Sequence, residues 1–430
     1  MKTSLSRRQI LAGAAAAALG PQLGLAAPTP QTTDALRFGF IGVGGRGTYL
    51  LRLILQIPEV RATAICDINE GNLKRAIKMV ADAGAASPAG FSAGPTDYRR
   101  LLERADVDAV VIATPLPLHA RMAIDALRAG KHAYSEVAAA ATLDDCWELL
   151  EATEKSGRTY MLAENYRYFR PIMMVSNMVR QGVFGEPTYA ECGYVHDCRN
   201  IKFNADGSLA WRGEMARDLI GNLYPTHSFG PVAQWLGINR GDRLVSLVSM
   251  TTKQVALERY AVKTFGKDHP SAKIKFAVGD STATLMQTAR GVVVDLRYDT
   301  LSARPHPSTT YQTLQGTTAA YVSDGERIWI DGRSKKKEWE PLATYAAEYD
   351  HPMWKQYENE ASKTQHGGGD YFVIREFVNA VRSGSPPPVD VYDAVTWSSI
   401  IPLSAESLRG GNKRVEVPDF TRGKWKSRTA

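Results

Sequence analysis

A glycine-rich turn between a buried strand and a helix restricts this chain to a small set of folds. The apolar segment Leu36–Ile41 is typical of a central strand, residues 42–47 follow it with the spacing G-x-G-x-x-G, and a helical pattern covers 48–55. A second apolar run, Val60–Cys66, ends at Asp67. In this context the glycines let backbone N–H groups approach a pyrophosphate, and the acid accepts hydrogen bonds from a ribose. The pattern predicts a dinucleotide-binding turn.

The residues of this turn also indicate which dinucleotide it binds. The pattern's glycines are Gly42, Gly44 and Gly47, and an ordinary structural turn is the alternative reading of such a cluster. Asp67 can accept both hydroxyls of the adenosine ribose, whereas a phosphate there would be repelled. NAD is therefore favoured over NADP, although Arg46 leaves NADP open as the alternative.

Strand and helix patterns alternate up to residue 164. Strands are expected over 108–113, 132–137 and 159–164, and helices over 70–83, 98–103, 118–129 and 143–155, with a polar loop before residue 98. Such alternation predicts right-handed crossovers and a doubly wound parallel sheet of the Rossmann type, in the α/β class. Ligand-binding residues are expected where its strands end, at 114–119, 136–137 and Asn165.

After Asn165 the pattern changes to closely spaced strands. They are expected over 187–196, 244–251, 281–287, 291–298, 309–315 and 327–330, with helices over 171–181, 371–381 and 391–408. Strands without intervening helices indicate a mainly antiparallel sheet. The 430 residues are enough for two or three domains. We predict a Rossmann domain over 36–165 and an α+β substrate domain with C-terminal helices over 166–430.

Residues 1–27 have the pattern of an export signal. The segment 6–11, SRRQIL, precedes a weakly apolar run over 12–19, and small residues at 24, 26 and 27 offer a cleavage site. This order resembles a twin-arginine signal, and the run is far shorter than the ~20 apolar residues of a spanning helix. We predict a signal over 1–27, a linker over 28–35, no stable membrane insertion, and a periplasmic or secreted protein that uses the twin-arginine export machinery.

Charge and cysteine content exclude several other classes. The net charge is +7, but Lys2, Arg7 and Arg8 lie in the signal and no dense basic block remains, so nucleic acid is not an expected partner. The four cysteines match no zinc or redox spacing, and no histidine grouping indicates a metal site. Free thiols are expected, with a disulfide between Cys192 and Cys198 as the alternative. The oligomeric state stays open, a homo-oligomer included.

Several of these segments together carry a family resemblance. The turn at 42–47, the segment 113–119 (ATPLPLH), Glu136 after the fifth strand and the order of the two domains resemble the glucose–fructose oxidoreductase and inositol dehydrogenase family, Gfo/Idh/MocA. The segments 221–227 (GNLYPTH), 238–243 (INRGDR), 366–368 (HGG) and 390–394 (DVYDA) resemble its glycosidase branch, glycoside hydrolase family 109. The resemblance covers essentially the whole chain after the signal.

The resemblance implies residue roles. Beyond the three glycines, the implied NAD contacts are Arg46, Asp67, Leu116, Pro117, Leu118, His119, Glu136, Val137 and Asn165. The implied substrate contacts are Tyr194, Arg212, Tyr224, Pro225, Thr226 and His227, together with His306, which stands where a tyrosine is expected.

The chemistry implied for this branch is hydrolysis of an α-N-acetylgalactosaminide or related sugar by transient C3 oxidation, C1–C2 elimination, water addition and re-reduction. Ordinary glycosidases need two opposed carboxylates, and no such pair stands out. The wider family has Glu-Lys-Pro after the fifth strand, where its lysine helps proton transfer, but this chain has Glu136, Val137 and Ala138. The glycosidase branch also lacks that lysine.

Tyr224 and His227 are therefore the predicted proton-transfer residues. Pro225 suits the first position of a helix, which would place His227 in the first turn as a neutral proton acceptor and Tyr224 just before it. The alternative is that Tyr224 packs at the domain boundary and His227 caps the helix. For the whole protein, the alternatives to an NAD-dependent glycosidase are an NAD-dependent sugar or polyol dehydrogenase and a non-catalytic sugar-binding protein.

Overall fold

The first sheet is parallel and has the strand order of a dinucleotide-binding fold. The computed structural model describes residues 35–305 and 310–429. Six strands lie in the order β3-β2-β1-β4-β5-β6. Their bounds are β1 Leu36–Ile41, β2 Val60–Cys66, β3 Ala89–Phe91, β4 Ala109–Ile112, β5 His132–Ser135 and β6 Tyr160–Leu162. The strand order reverses between β1 and β4, so the crevice at their carboxyl ends is where such sheets bind ligands.

Helices connect these strands. They are α1 Gly45–Ile54, α2 Glu70–Asp82, α3 Tyr98–Leu102, α4 His119–Arg128 and α5 Leu143–Ser156. Residues 38–41 of β1 are buried as a continuous run, because a parallel sheet is covered on both faces. One predicted feature was wrong: the polar loop before residue 98 contains the short edge strand β3. Three residues, one of them Gly90, give no period that a sequence pattern could reveal.

The second sheet has nine strands in the order β14-β13-β12-β11-β7-β10-β9-β8-β15. Their bounds are β7 Pro187–Val195, β8 Leu244–Thr251, β9 Thr282–Thr288, β10 Val293–Asp299, β11 Thr310–Gly316, β12 Ala319–Val322, β13 Arg327–Ile330, β14 Glu340–Pro341 and β15 Val415–Glu416. Only β7 and β10 pair in parallel; the other neighbours are antiparallel. The predicted fold class, a Rossmann sheet followed by an α+β domain, is confirmed.

Nine helices in the described residues accompany this sheet or return to the first one. They are α6 Arg170–Arg180, α7 Trp211–Asp218, α8 Thr226–Trp235, α9 Ala256–Phe265, α10 Ala346–Tyr349, α11 Pro352–Ala361, α12 Gly369–Ser383, α13 Val391–Ser398 and α14 Ile400–Arg409. The single helix expected over 391–408 is in fact two, divided at Ser399. Pro402 has no N–H to donate to the carbonyl of Ser398, which is where a continuous helix would need it.

Helix α12 brings the late part of the chain to the first sheet. Phe377 of α12 packs against Phe38 of β1 and Tyr134 of β5, with ring centroids 5.9 and 5.4 Å apart. The N-terminus of α12 thereby reaches the carboxyl edge of the first sheet, where Gly369 lies so close to Asn165 that a Cβ would be 2.3 Å from its carbonyl oxygen. A residue far along the chain can therefore contribute to a site at that edge.

Candidate functional site

The glycine turn has the geometry that its sequence predicts. Gly42 has a φ of +86°, and a Cβ there would lie 2.9 Å from the carbonyl oxygen of Ala113. A Cβ on Gly47 would lie 1.9 Å from the carbonyl oxygen of Gly42. By contrast, a Cβ on Gly44 would find its nearest neighbour only at 4.0 Å. The outer glycines are thus required by the turn itself, whereas Gly44 leaves space above the first N–H groups of α1, where an anion can approach.

Asp67 is fixed at the end of β2 beside this turn. Its two carboxylate oxygens accept hydrogen bonds of 2.8 Å from the backbone N–H groups of Val43 and Asn69. The next side chain, Ile68, is 69% exposed. Sequence analysis did not single out Ile68. Its side chain gives the cofactor cradle, which we define as the turn 42–47 together with Asp67, an apolar surface on which a flat nucleotide base can lie.

Arg46 does not face the cradle as a free cation. Its Nε donates to Glu136 at 2.7 Å, and its two Nη atoms donate to Asp370 at 2.7 and 3.1 Å. Asp370 also accepts a 2.8 Å hydrogen bond from Asn165 and contacts His366 Nδ1 at 2.7 Å. Two carboxylates already compensate the guanidinium, so it is a poor partner for the 2′-phosphate of NADP.

The ends of β4 and β5 place the next predicted contacts at the same edge. Leu116 is buried, whereas Pro117 and Leu118 are exposed. His119 is buried, with its ring nitrogens 2.8 Å from the carbonyl oxygens of Thr114 and Ala138. Burial lowers the pKa of His119. This histidine holds the two strand-end loops together rather than facing the crevice.

His227 forms a buried pair with Glu164. His227 Nδ1 lies 2.9 Å from one carboxylate oxygen of Glu164 and 3.1 Å from the other, and the Glu164 side chain is fully buried. Gly230, one turn further along α8, makes room for this contact, since a Cβ there would lie 2.9 Å from Glu164 Cγ. A carboxylate at Nδ1 favours the tautomer in which Nε2 is the proton acceptor.

Three tyrosines surround this imidazole. The Tyr166 ring is stacked on it, with centroids 4.1 Å apart and an interplanar angle of 11°, and the rings of Tyr224 and Tyr194 lie at 5.2 and 5.7 Å. Burial raises the pKa of Tyr166 to about 12, and it also raises the pKa of Tyr194 and Tyr224. At neutral pH these phenols keep their protons and can donate hydrogen bonds.

A tight loop aims Tyr224 and His227 at the site. Gly221 has a φ of +96°, and Asn222 Oδ1 accepts from the backbone N–H of Tyr224 at 3.2 Å, which turns the chain into α8. Pro225 has helical dihedrals but precedes the helix, which begins at Thr226, one residue later than predicted. The side chains of Pro225 and Thr226 are buried, so both residues position their neighbours.

A pocket of about 70 Å³ opens beside Tyr194 and Tyr224. Leu116 and Arg212 also line it, and the Arg212 guanidinium lies 4.0 Å from the centre of the Trp211 ring. The structure therefore brings the predicted substrate residues Tyr194, Arg212, Tyr224 and His227 together. His306 and the signal and linker residues 1–34 lie outside the described residues.

Glu164, Tyr166 and Asp370 were missed by sequence analysis. Glu164 and Tyr166 flank Asn165, at a strand end where ligand contacts were expected. Asp370 stands four residues after His366, which begins the HGG segment. The strand end was a usable signal for Glu164, but nothing local indicated Asp370.

The described residues also bear on the predictions about thiols, metals and membranes. The four cysteines are buried free thiols, as expected. Within the described ranges no group of three or more His, Cys, Asp or Glu side chains could hold a metal ion. Nor does that part of the chain contain a helix of the length and apolarity needed to cross a bilayer.

Comparison with known proteins agrees with this architecture. Residues 36–164 match the model of an oxidoreductase family with an NAD-binding Rossmann fold, and residues 168–427 match the C-terminal domain of glycosyl hydrolase 109. A glycosyl hydrolase family 109 protein of Stenotrophomonas maltophilia (strain K279a) is 39% identical over 99% of this chain and 97% of its own length. An alpha-N-acetylgalactosaminidase of Tannerella forsythia is 36% identical over 93% of this chain and 89% of its own length.

A solved structure shows the same fold at low identity. Levoglucosan dehydrogenase in complex with NADH has a TM-score of 0.72 and 19% identity over 90% of this chain and 100% of that one. Fold and site define an enzyme of the Gfo/Idh/MocA class with an NAD-binding Rossmann domain. Within that class, the chain belongs to glycosyl hydrolase family 109. The predicted family and the predicted cofactor, NAD, are confirmed.

Proposed function

We propose that this enzyme hydrolyses the glycosidic bond of an α-N-acetylgalactosaminide or a related sugar, with NAD that is regenerated in every cycle. The observation that carries the proposal is the Glu164–His227 pair, 2.9 Å apart, in a chain whose buried Val137 stands where the wider family has a lysine. A proton acceptor held by a carboxylate is what C2 deprotonation requires. The competing candidate is an NAD-dependent sugar or polyol dehydrogenase.

His227 is the proposed base in this scheme. Its Nδ1–H donates to Glu164, which leaves Nε2 free to take the proton from C2 of the sugar, and the carboxylate stabilises the imidazolium that forms. The stacked Tyr166 ring restricts the imidazole to one orientation. Reversible oxidation at C3, which makes the C2 proton acidic, is the chemistry that NAD supplies when bound.

The cradle and the tyrosines supply binding and orientation. Asp67, the N–H groups at the start of α1 and the exposed side chain of Ile68 would hold the cofactor, while Tyr194, Tyr224 and Arg212 would donate hydrogen bonds to the sugar. A small-molecule glycoside is the proposed substrate partner. We also propose, from residues 1–27, export through the twin-arginine machinery to the periplasm or medium.

The first experiment asks whether NAD is retained and regenerated. Purified protein is denatured and the released dinucleotide is measured, with about one NAD per chain expected, because regeneration gains nothing from cofactor release. The native protein is then incubated with a panel of nitrophenyl α- and β-glycosides without added NAD. Cleavage of an α-glycoside supports the proposal. If the protein retains no NAD and also fails to bind added NAD, both candidate activities are excluded.

Turnover in heavy water separates the two candidates. The glycosidase route exchanges the C2 hydrogen with solvent and returns the C3 hydrogen, so the released sugar should carry deuterium at C2 and none at C3, without accumulation of NADH. A dehydrogenase would instead accumulate NADH in proportion to a keto-sugar product. The measurement is mass spectrometry or NMR of the sugar together with absorbance of the nicotinamide.

A further inference from the structure

The pocket beside Tyr194 and Tyr224 contains a lysine that the proposed chemistry does not use. Lys202 ends a short 3-10 turn, Asn200–Lys202, and is only 5% exposed, yet it lines this pocket together with Arg212. Among the described residues no hydrogen bond or ion pair to the Lys202 ammonium is found, and none of the described residues that line the pocket is an aspartate or a glutamate.

The backbone holds Lys202 in this position. The carbonyl oxygen of Lys202 accepts a 3.0 Å hydrogen bond from the N–H of Ala210, just before α7. Gly213 of α7 approaches the same carbonyl so closely that a Cβ there would lie 2.1 Å from the oxygen. The lysine is therefore clamped against the helix that carries Arg212, and the two cations are fixed at one wall.

A buried lysine beside a partly buried arginine, in a pocket that none of the described acidic residues lines, is costly. Removing an ammonium from water costs several kcal/mol unless a counter-charge compensates it, and the guanidinium of Arg212 stays charged at any physiological pH. Burial lowers the pKa of Lys202 to about 8, so the lysine still carries its charge at neutral pH. An anion bound at this wall would compensate the charge of the buried ammonium and that of the neighbouring guanidinium.

The dimensions of the pocket indicate what kind of anion it can take. Its interior of about 70 Å³ is large enough for a small charged substituent of a sugar. The tyrosines that line it, Tyr194 and Tyr224, also surround His227. A group in the pocket would therefore belong to the sugar whose C2 faces the imidazole.

We propose that Lys202 and Arg212 recognise an anionic substituent, a carboxylate or a sulfate ester, on the sugar that this site binds. The inference rests on the proposed function for the position of the sugar, but it concerns charge recognition alone and can be tested by binding. It makes Lys202 a specificity-determining residue. Among the N-acetylgalactosaminides and related sugars of the proposed function, it predicts that those carrying a carboxylate or a sulfate ester are preferred over neutral ones.

Calorimetry on the NAD-loaded full-length protein tests this directly. The probes are D-galacturonate, D-glucuronate and D-galactose 6-sulfate, with D-galactose and N-acetyl-D-galactosamine as neutral references. At least one anionic probe should bind wild-type protein on the order of 10- to 100-fold more tightly than the neutral sugars, and added salt should reduce the difference. The carboxylate and sulfate probes distinguish the two sources of charge. Equal binding of all probes would overturn the proposal without any variant.

Variants then assign the preference to the lysine. Lys202→Met should abolish the preference for the anionic probe, Lys202→Arg should keep most of it, and the exposed Lys273→Met should leave it unchanged. A melting temperature for each variant checks that it has folded. A preference that survives in folded Lys202→Met would contradict the proposal, as would equal weakening of anionic and neutral sugars.

The nitrophenyl glycoside panel, with nitrophenyl α-D-galactosiduronate and nitrophenyl N-acetyl-α-D-galactosaminide included, separates this inference from the proposed function. If no glycoside of the panel is cleaved but anion binding depends on Lys202, the inference stands and the glycosidase proposal fails. If glycosides are cleaved with no preference for charge, the glycosidase proposal stands and the inference fails.

Discussion

The cofactor cradle and the proton-transfer centre, which consists of His227, Glu164 and Tyr224, differ in how far apart their residues lie in the sequence. In the cradle, Asp67 contacts the backbone of Val43, 24 residues earlier, within one strand-turn-helix-strand unit. In the centre, His227 meets Glu164 from 63 residues away. Between the two regions, Arg46 reaches Asp370 across 324 residues. Local geometry fixes the first region, whereas the packing of separate helices assembles the second. Substitutions should therefore affect binding and chemistry separately.

Replacing His227, the proposed base, should give the largest effect. We expect His227→Ala to lower kcat and the C2 exchange rate by ~10² to 10⁴, because the general base is lost, while NAD stays bound, because the cradle is intact. Rapid-quench turnover and dinucleotide release after denaturation measure the two. His269→Ala, which removes the cap of a short turn and a ring contact with Phe265, is the control. Wild-type exchange in His227→Ala would transfer the base role to Tyr224 or Tyr194.

Glu164→Gln should slow the same step by a smaller factor, roughly 10²-fold. The amide keeps the size of the side chain but no longer stabilises the imidazolium, and its NH₂ group can hold the wrong tautomer. The matched control is Glu148→Gln, since Glu148 makes only a half-exposed ion pair with Arg128. An unchanged kcat would mean that Glu164 serves only to pack α8 against β6.

The same difference between local and distant contacts separates what could be predicted from the sequence from what could not. The glycine turn, Asp67 and the strand ends were predicted correctly in position, because their partners lie within one supersecondary unit with a fixed hand. Tyr224 and His227 were predicted from a motif, but Glu164, the partner of His227, was not predicted. Asp370 could not be predicted, because its place at the first sheet depends on how α12 packs on Phe38 and Tyr134, which no local period encodes.

Asp67→Ala should affect the cradle and leave the chemistry of bound enzyme unchanged. Loss of hydrogen bonds from the ribose to a charged acceptor should cost about 1.5 to 3 kcal/mol of NAD affinity, measured by calorimetry on apoprotein. Asp82→Ala, which removes an exposed acid at the end of α2, should bind NAD normally. Unchanged affinity in Asp67→Ala would show that the acid only fixes the turn through Val43.

Asp370 joins the two regions, and it should give the smallest effect, on stability. Burial opposes its ionisation, but hydrogen bonds from His366 and Arg46 outweigh burial and lower its pKa to about 2. A carboxyl whose pKa is lowered by folding stabilises the protein above its ordinary pKa, and that contribution disappears as the pH falls from about 4 towards 2. The expected size is about 2 kcal/mol at neutral pH.

Denaturant unfolding of wild type and Asp370→Asn at several pH values measures this contribution. The variant should be less stable by about 2 kcal/mol at pH 7, and the difference should shrink as the pH approaches 3, since wild-type Asp370 then begins to take up its proton. Asp106→Asn, in a half-exposed pair with Arg104, should show a difference near zero throughout, because solvent screens that pair. A difference for Asp370→Asn that stays constant with pH would mean that the carboxylate holds Arg46 and Asn165 by shape and hydrogen bonding alone. Asp370 would then connect the cradle and the proton-transfer centre without a contribution to stability that depends on the charge of its carboxylate.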